Sequence, residues 1–99
     1  MKNQKELLSI LQEECNAASQ VILDIFKYGL DAHHPKDKNK KNNLDRLYSE
    51  VGAILATINS LVETDNLEAN KIFKAAEVTI KDLKKPTKPA KKRVKRTNK

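Results

Sequence analysis

Hydrophobic residues recur at helical spacing in the first part of the chain. Alternating steps of three and four residues separate Leu8, Leu11, Cys15, Ala18, Ile22 and Ile25. This spacing places them on one side of an α-helix of about six turns. Asn3, followed three residues later by Glu6, is a variant of the capping box, and Gly29 is a preferred helix terminator. The pattern predicts a helix that begins at the Asn3 cap and ends before Gly29.

A second row on the same predicted helix contains one acidic residue. This row consists of Leu7, Ile10, Glu14, Ala17 and Val21. Because Glu14 is the only charged member, it should border a buried surface rather than project into solvent.

The same three-four spacing returns further along the chain. Its members are Leu44, Leu47, Val51, Ile54, Ile58 and Leu61. They predict a second helix, capped by Asn42 or Asn43 and ending near Glu63. Glu50 lies in the neighbouring row with Asn43, Arg46, Ala53, Thr57 and Ser60, so it too should border the helix contact. Gly52 suggests a close approach to another backbone.

A polar loop and a third helix complete the predicted fold. Residues 30–43 contain Pro35 and lack periodicity, which predicts a loop that is long for a helical hairpin. Its lysines indicate either a solvated loop or a lid over an anionic ligand. Asp65 with Glu68 predicts the start of a third helix that extends to about Leu83. The resulting fold class is all-α, a helix–long loop–helix–helix unit over residues 1–83.

The positive charge of the chain is concentrated at its C-terminal end. The formal net charge is +7, yet residues 84–99 carry nine Lys or Arg and no acid. Residues 1–83 carry eleven Lys or Arg against thirteen Asp or Glu. With Pro86 and Pro89, this composition predicts a disordered basic tail. Nucleic-acid phosphates are natural partners for such a segment, and we expect contacts from Lys91, Lys92, Arg93, Lys95 and Arg96. A merely solvated tail is the alternative.

Composition also limits the classes of protein. One cysteine, Cys15, excludes a disulfide framework within the chain and favours a reducing compartment. Cys15 lies on the apolar stripe and is better explained as a small core residue than as a nucleophile. His33 and His34 are too few for a zinc site and are expected in an exposed loop. The absence of a long apolar run predicts no membrane span and a cytoplasmic location.

Two acidic motifs on consecutive helices resemble those of MazG-like all-α nucleoside triphosphate pyrophosphohydrolases. That family has Glu-Glu-x-x-Glu on a first helix, then a loop, then Glu-x-x-Asp on a second helix beside a small residue. The first motif here is Glu13-Glu14-Cys15-Asn16-Ala17, and the second is Glu50-Val51-Gly52-Ala53. The similarity covers roughly residues 5–63.

The resemblance implies an Mg²⁺-dependent reaction that converts a nucleoside triphosphate to a monophosphate and pyrophosphate. Position by position, Glu14 and Glu50 match metal ligands and Glu13 matches the leading acidic position, to which we assign a catalytic role. Ala17 and Ala53 stand at the other two ligand positions and supply no oxygen. We therefore expect weak or lost Mg²⁺ binding and an impaired reaction, so that activity as an enzyme stays open. Lys38, Lys41 and Asn43 are candidate nucleotide contacts.

Two functions from different classes remain open at this stage. The first is a MazG-like nucleotide-binding protein that is a residual or inactive pyrophosphohydrolase. The second is a non-enzymatic helical module that binds nucleic acid or an acidic partner through its tail. For Glu14 and Glu50 the structural alternative is close helix packing at the alanines, with the acids paired or extending to water. In either case so small a core predicts a homodimer or higher homo-oligomer formed as a helical bundle.

Overall fold

Three α-helices account for the regular structure of the described residues. A computed structural model describes residues 2–33, 36 and 41–86. Their order is α1, Gln4–Tyr28; α2, Asn43–Glu63; and α3, Ala69–Leu83. Within the described residues there is no strand, only an isolated antiparallel bridge between His33 and Asn42. The prediction of an all-α fold is confirmed. None of the helices in the described ranges has the length and apolar character required to cross a membrane.

Both ends of α1 follow the local sequence signals. The Glu6 amide donates to Asn3 Oδ1 at 2.8 Å, and the Asn3 amide donates to Glu6 Oε1 at 2.9 Å, which completes the predicted capping box. At the other end the Gly29 amide donates to the Ile25 carbonyl at 2.8 Å. Gly29 has φ 98° and ψ 167°, a backbone region that essentially only glycine occupies.

The N-terminus of α2 is anchored to the segment that follows α1. Asn42 is the N-cap, and its side chain accepts from the Asp45 amide at 2.9 Å, which decides between the two predicted caps. The Asn43 amide donates to the Ala32 carbonyl at 2.8 Å, and the Leu44 amide donates to the Leu30 carbonyl at 3.0 Å. Three of the amides that a helix start leaves without internal partners are thus satisfied.

The third helix starts later than predicted because the residues before it cap α2. The Asn66 amide donates to the Leu61 carbonyl at 2.8 Å and the Asp65 amide donates to the Val62 carbonyl at 3.0 Å. This pair of bonds is a Schellman motif, with Asp65 at φ 62° in the left-handed position that usually holds glycine. Asp65 therefore ends α2 and does not begin α3, so the predicted start at Asp65 is wrong. The helix begins at Ala69, and its end at Leu83 is as predicted.

The described chain forms two units, Met1–Glu68 and Ala69–Lys99. The first contains the α1–α2 hairpin. The second contains α3, an amphipathic helix in which no side chain is buried and in which Phe73 is 67% exposed. An exposed ion pair joins Lys85 Nζ to Asp82 at 3.2 Å just after its last turn. The predicted domain over residues 1–83 stays a prediction.

In the hairpin, α1 and α2 face one another through the rows that contain the glutamates. Val21 and Leu61 are buried, as are Asp24, Asn43 and Thr57. Of the longer hydrophobic stripes predicted for the two helices, only Leu61 is buried, and the other members are half-buried or exposed. Six large side chains of those stripes and their margins are exposed, and we call them the apolar face: Leu8, Ile22 and Phe26 of α1, and Tyr48, Val51 and Leu55 of α2.

Gly29, which caps the end of α1, and Gly52, inside α2, offer a matched test of the backbone. A Cβ at either Gly29 or Gly52 would meet no atom within 4 Å, so the expected close approach at Gly52 is absent from the described residues. Gly29→Ala should lower the free energy of unfolding by about 1–2 kcal/mol, because alanine is strained at this φ and ψ. Gly52→Ala should raise it by roughly 0.5–1 kcal/mol through helix propensity. Urea unfolding measures both, and equal effects of the same sign would contradict this account.

Candidate functional site

Glu14 is held by a hydrogen bond from the facing helix. Thr57 Oγ1 donates to Glu14 Oε1 at 2.8 Å, and the same hydroxyl lies 3.0 Å from the Ala53 carbonyl oxygen. Because one hydroxyl proton serves two acceptors, Glu14 shares its donor with the α2 backbone. Thr57 is buried and Glu14 is half-buried. The expectation that Glu14 is not an ordinary solvated charge is confirmed.

The register of the hairpin places the two predicted metal ligands at different levels. The contacts Glu14–Thr57 and Asp24–Arg46 show that α1 and α2 run antiparallel. Glu50 precedes Thr57 by seven residues on α2, a rise of about 10 Å along the helix axis. Helical side chains lean towards the N-terminus of their own helix, which in an antiparallel pair are opposite directions. Glu14 and Glu50 therefore lean away from each other.

The remaining positions of the two motifs are distributed around this contact. Glu13 is exposed, whereas Ala17, Glu50 and Ala53 are half-buried. Throughout the part of the chain that the structure describes, no three His, Cys, Asp or Glu side chains come together as a group that could hold a metal ion. Mg²⁺ needs several oxygen ligands at about 2.1 Å in octahedral geometry. The residues present do not fit a multi-carboxylate Mg²⁺ site, and the alanines are the chemical reason.

A cavity of about 410 Å³ opens beside Glu14 between the first half of α1 and the second half of α2. Its walls are largely apolar, with hydroxyl groups and two carboxylates among them. The lining residues are Lys2, Leu7, Ile10, Glu14, Ala53, Ala56, Thr57, Ser60, Glu63 and Thr64. One position from each predicted motif, Glu14 and Ala53, thus lines a common space. Ala17 and Glu50 do not line it.

A polar network closes the loop end of the hairpin. Arg46 Nη1 donates to Asp24 Oδ2 at 3.0 Å and to Asn43 Oδ1 at 2.7 Å. Asn43 Nδ2 donates to the Gly29 carbonyl at 2.9 Å, and the Asn43 side chain is almost fully buried. The Arg46 and Asp24 side chains are 23% and 9% exposed. This buried, charge-assisted network joins α1, the start of the loop and α2.

The structure bears on the predicted nucleotide contacts only in part. Both polar atoms of the Asn43 side chain are engaged within the hairpin, which gives this residue a structural role where a nucleotide contact was expected. Lys41 is exposed and its Nζ donates to Ser49 Oγ at 3.0 Å. Lys38 lies outside the described residues, as do Lys91, Lys92, Arg93, Lys95 and Arg96 of the tail, so their assignments stay predictions.

Sequence reasoning missed Thr57, Asp24 and Arg46 as determinants of the site. Asp24 and Arg46 carry opposite charges on consecutive helices, and their pairing becomes evident only when the antiparallel register is known. Thr57 lies seven residues after Glu50, on the same side of α2. That spacing could have indicated that Thr57 faces α1.

Comparisons of the chain with protein-family models, curated proteins and solved structures find no match. The resemblance to MazG-like proteins therefore depends on the two motifs and their order alone. It stays a prediction.

The contact between Thr57 and Glu14 can be tested by removing one hydroxyl. Thr57→Val keeps the shape of the side chain and leaves Glu14 without this donor, so it should lower the free energy of unfolding by about 1–2 kcal/mol. Thr57→Ser keeps the hydroxyl and should cost less than half as much. Chemical denaturation of both variants measures the difference. If valine is tolerated as well as serine, the hydrogen bond does not stabilise the hairpin.

Proposed function

We propose that the chain is a MazG-like helical protein that binds nucleotides weakly and hydrolyses them slowly or not at all. The observation that supports this proposal is the environment of Glu14. Its carboxylate accepts from Thr57 and lines a cavity beside Ala53, where the resembling family has a metal-binding carboxylate. The cavity provides room next to one remaining acid, while the missing negative charges weaken any bound cation.

The proposed loss of function can be tested by restoring the absent acids. Wild type should release little or no pyrophosphate from a panel of nucleoside triphosphates with Mg²⁺ or Mn²⁺, while nucleotides raise its melting temperature slightly. The double variant Ala17→Glu/Ala53→Asp should release pyrophosphate at least about tenfold faster, because it returns two carboxylates beside Glu14 and Glu50.

A matched control variant carries the same two added charges, but one of them stands outside the motif. Ala56 also lines the cavity but lies outside the motif, so Ala17→Glu/Ala56→Asp should gain no activity. Circular dichroism confirms that each variant stays helical. Equal rates for both double variants, together with no nucleotide-dependent shift in wild type, would overturn the proposal.

A second candidate function rests on the charge of the C-terminal segment. Nine Lys or Arg without an acid lie in residues 84–99, against a slightly acidic remainder of the chain. Such a segment binds nucleic-acid phosphates without base specificity, and each neutralised phosphate makes the affinity more salt-dependent. This function requires no metal and no cavity, so it is separable from the first.

The tail is best tested without shortening the chain. Replacing Lys91, Lys92, Arg93, Lys95 and Arg96 by glutamine should reduce the slope of log affinity against log salt by about 3–5, at roughly 0.7–0.9 for each lost phosphate contact. Fluorescence anisotropy with a labelled oligonucleotide measures the slope. Glutamine at Lys71 and Lys74 of α3 is the control. An unchanged slope in the tail variant would exclude the tail as the binding element.

Self-association is the third part of the proposal. A hairpin whose buried large apolar residues in the described chain are Leu7, Val21 and Leu61 has a small core. The side chains of the apolar face are left in water, which favours assembly into a helical bundle. A cytoplasmic homo-oligomer is thus the form of the protein that we propose.

A further inference from the structure

Two carboxylates line the cavity between α1 and α2, and the register of the hairpin turns them towards each other. Glu14 lines the cavity from α1 and Glu63 lines it from α2. Glu63 lies six residues after Thr57, the hydrogen-bond partner of Glu14, which is a rise of about 9 Å along α2. Helical side chains lean towards the N-terminus of their own helix. In this antiparallel pair Glu14 therefore leans towards the level of Glu63, and Glu63 leans towards the level of Glu14.

The polar groups of the cavity have unused capacity to accept hydrogen bonds. Glu14 Oε1 shares the Thr57 hydroxyl proton with the Ala53 carbonyl, and among the described residues no group donates to Glu14 Oε2. In the same part of the chain the side chains of Glu63 and Ser60 accept no hydrogen bond, and neither glutamate forms an ion pair. Ser60 is half-buried and lines the cavity too. A ligand rich in hydrogen-bond donors matches these three acceptors.

The remainder of the lining favours a cation with an aliphatic body. The volume of about 410 Å³ lies in the lower part of the range of small-molecule sites, about 300–1,000 Å³. Lys2 is the one basic residue in the described lining, so two acids stand against one base, and an anion is disfavoured. A neutral apolar ligand would leave the half-buried Glu14 facing a group without donors. Apolar side chains supply much of the wall: Leu7, Ile10, Ala53 and Ala56.

A hard metal ion matches this cavity less well than an organic ammonium group does. Mg²⁺ and Ca²⁺ need about six or more oxygen ligands, whereas the apolar part of the wall offers none. An ammonium group has three N–H donors and no required coordination number. Its alkyl chain removes apolar surface from water when it lies against hydrophobic side chains. Both parts of an aliphatic amine thus have a counterpart in the lining.

We propose that the cavity beside Glu14 binds a primary aliphatic amine in its ammonium form. The ammonium group donates to Glu14 and Ser60, and the alkyl chain lies along Leu7 and Ile10. A linear diamine uses both carboxylates, because its second ammonium group reaches the exposed Glu63. This inference goes beyond the nucleotide function proposed above and does not depend on it.

A matched pair of small molecules tests the class of ligand. Hexane-1,6-diamine has seven bonds between its nitrogens, which span about 9 Å at ~1.25 Å per bond when the chain is extended. Hexane-1,6-diol has the same length without the charges. Calorimetric titration of the full chain at pH 7 should show the diamine binding at least about tenfold more tightly than the diol, because ion-assisted hydrogen bonds are the stronger ones. Added NaCl should weaken the diamine alone. A diol that binds as tightly as the diamine would overturn the proposal.

Charge removal tests the position of the ligand. Glu14→Gln keeps the size of the side chain and should raise the diamine dissociation constant at least about tenfold, since the buried acceptor loses its charge. Glu77→Gln removes the same charge from an exposed position of α3, away from the cavity, and should leave the constant unchanged. Equal weakening by both substitutions would mean non-specific attraction of a dication to acidic residues, which contradicts the assignment.

Filling the cavity gives a second variant that retains every charge. Ala56 is exposed on α2 and lines the cavity, and leucine is nearly as good a helix former as alanine. Ala56→Leu should keep the circular dichroism of wild type and raise the diamine dissociation constant at least about fivefold, because its side chain occupies space along the apolar wall. If Glu14→Gln loses helix content, this variant decides. Wild-type affinity in Ala56→Leu would overturn the inference.

Nucleotide titration of the same preparations separates this inference from the proposed function. Diamine binding without any nucleotide-dependent shift in melting temperature supports the amine site while the nucleotide function fails. A nucleotide-dependent shift without diamine binding at millimolar concentration overturns the amine site and leaves the nucleotide function standing.

Discussion

Polar contacts across the α1–α2 hairpin fix the register on which the other features depend. Thr57 holds Glu14 near one end, and Arg46 joins Asp24 and Asn43 near the other. Hydrophobic packing alone is non-directional and tolerates sliding of one helix along another. Hydrogen bonds between half-buried partners do not, because a slip of one turn would leave a carboxylate or a guanidinium without its partner. The cavity lining and the exposed face both follow from this register.

The same register holds the two glutamates that resemble metal ligands at different levels of the hairpin. A metal site of the kind that they resemble needs carboxylates at one level on both helices, at i and i+3 on each. Here two of those four positions hold Ala17 and Ala53. Of the two acids, Glu14 lies at the level of Thr57, and Glu50 lies about 10 Å away from Thr57 along α2. Glu14 is part of the helix contact, through its hydrogen bond from Thr57. The register of the two helices thus determines which carboxylate oxygen atoms can come together.

Placing polar groups in the contact has a consequence for the outside of the hairpin. Asn43, Thr57 and Asp24 occupy buried positions that apolar residues usually fill. Several large hydrophobic side chains of both helices lie outside the contact, among them Phe26 and Tyr48, which are exposed. A polar internal contact therefore coexists with exposed hydrophobic side chains on the outside of the hairpin.

The helix boundaries were predictable from the sequence because caps are local. The Asn3–Glu6 box, the Gly29 stop and the Asn42 cap each involve residues within four positions of one another. The predicted start of α3 was wrong because Asp65 suits both an N-cap and a left-handed C-terminal position. Hydrogen bonds to the Leu61 and Val62 carbonyls place Asp65 in the second of these roles. Which side of each helix is buried could not be read from periodicity, which defines a stripe but not its partner. The buried side is determined by two contacts, Arg46 with Asp24 and Thr57 with Glu14. The partners are 22 and 43 residues apart in the sequence, so these contacts form only in the tertiary structure.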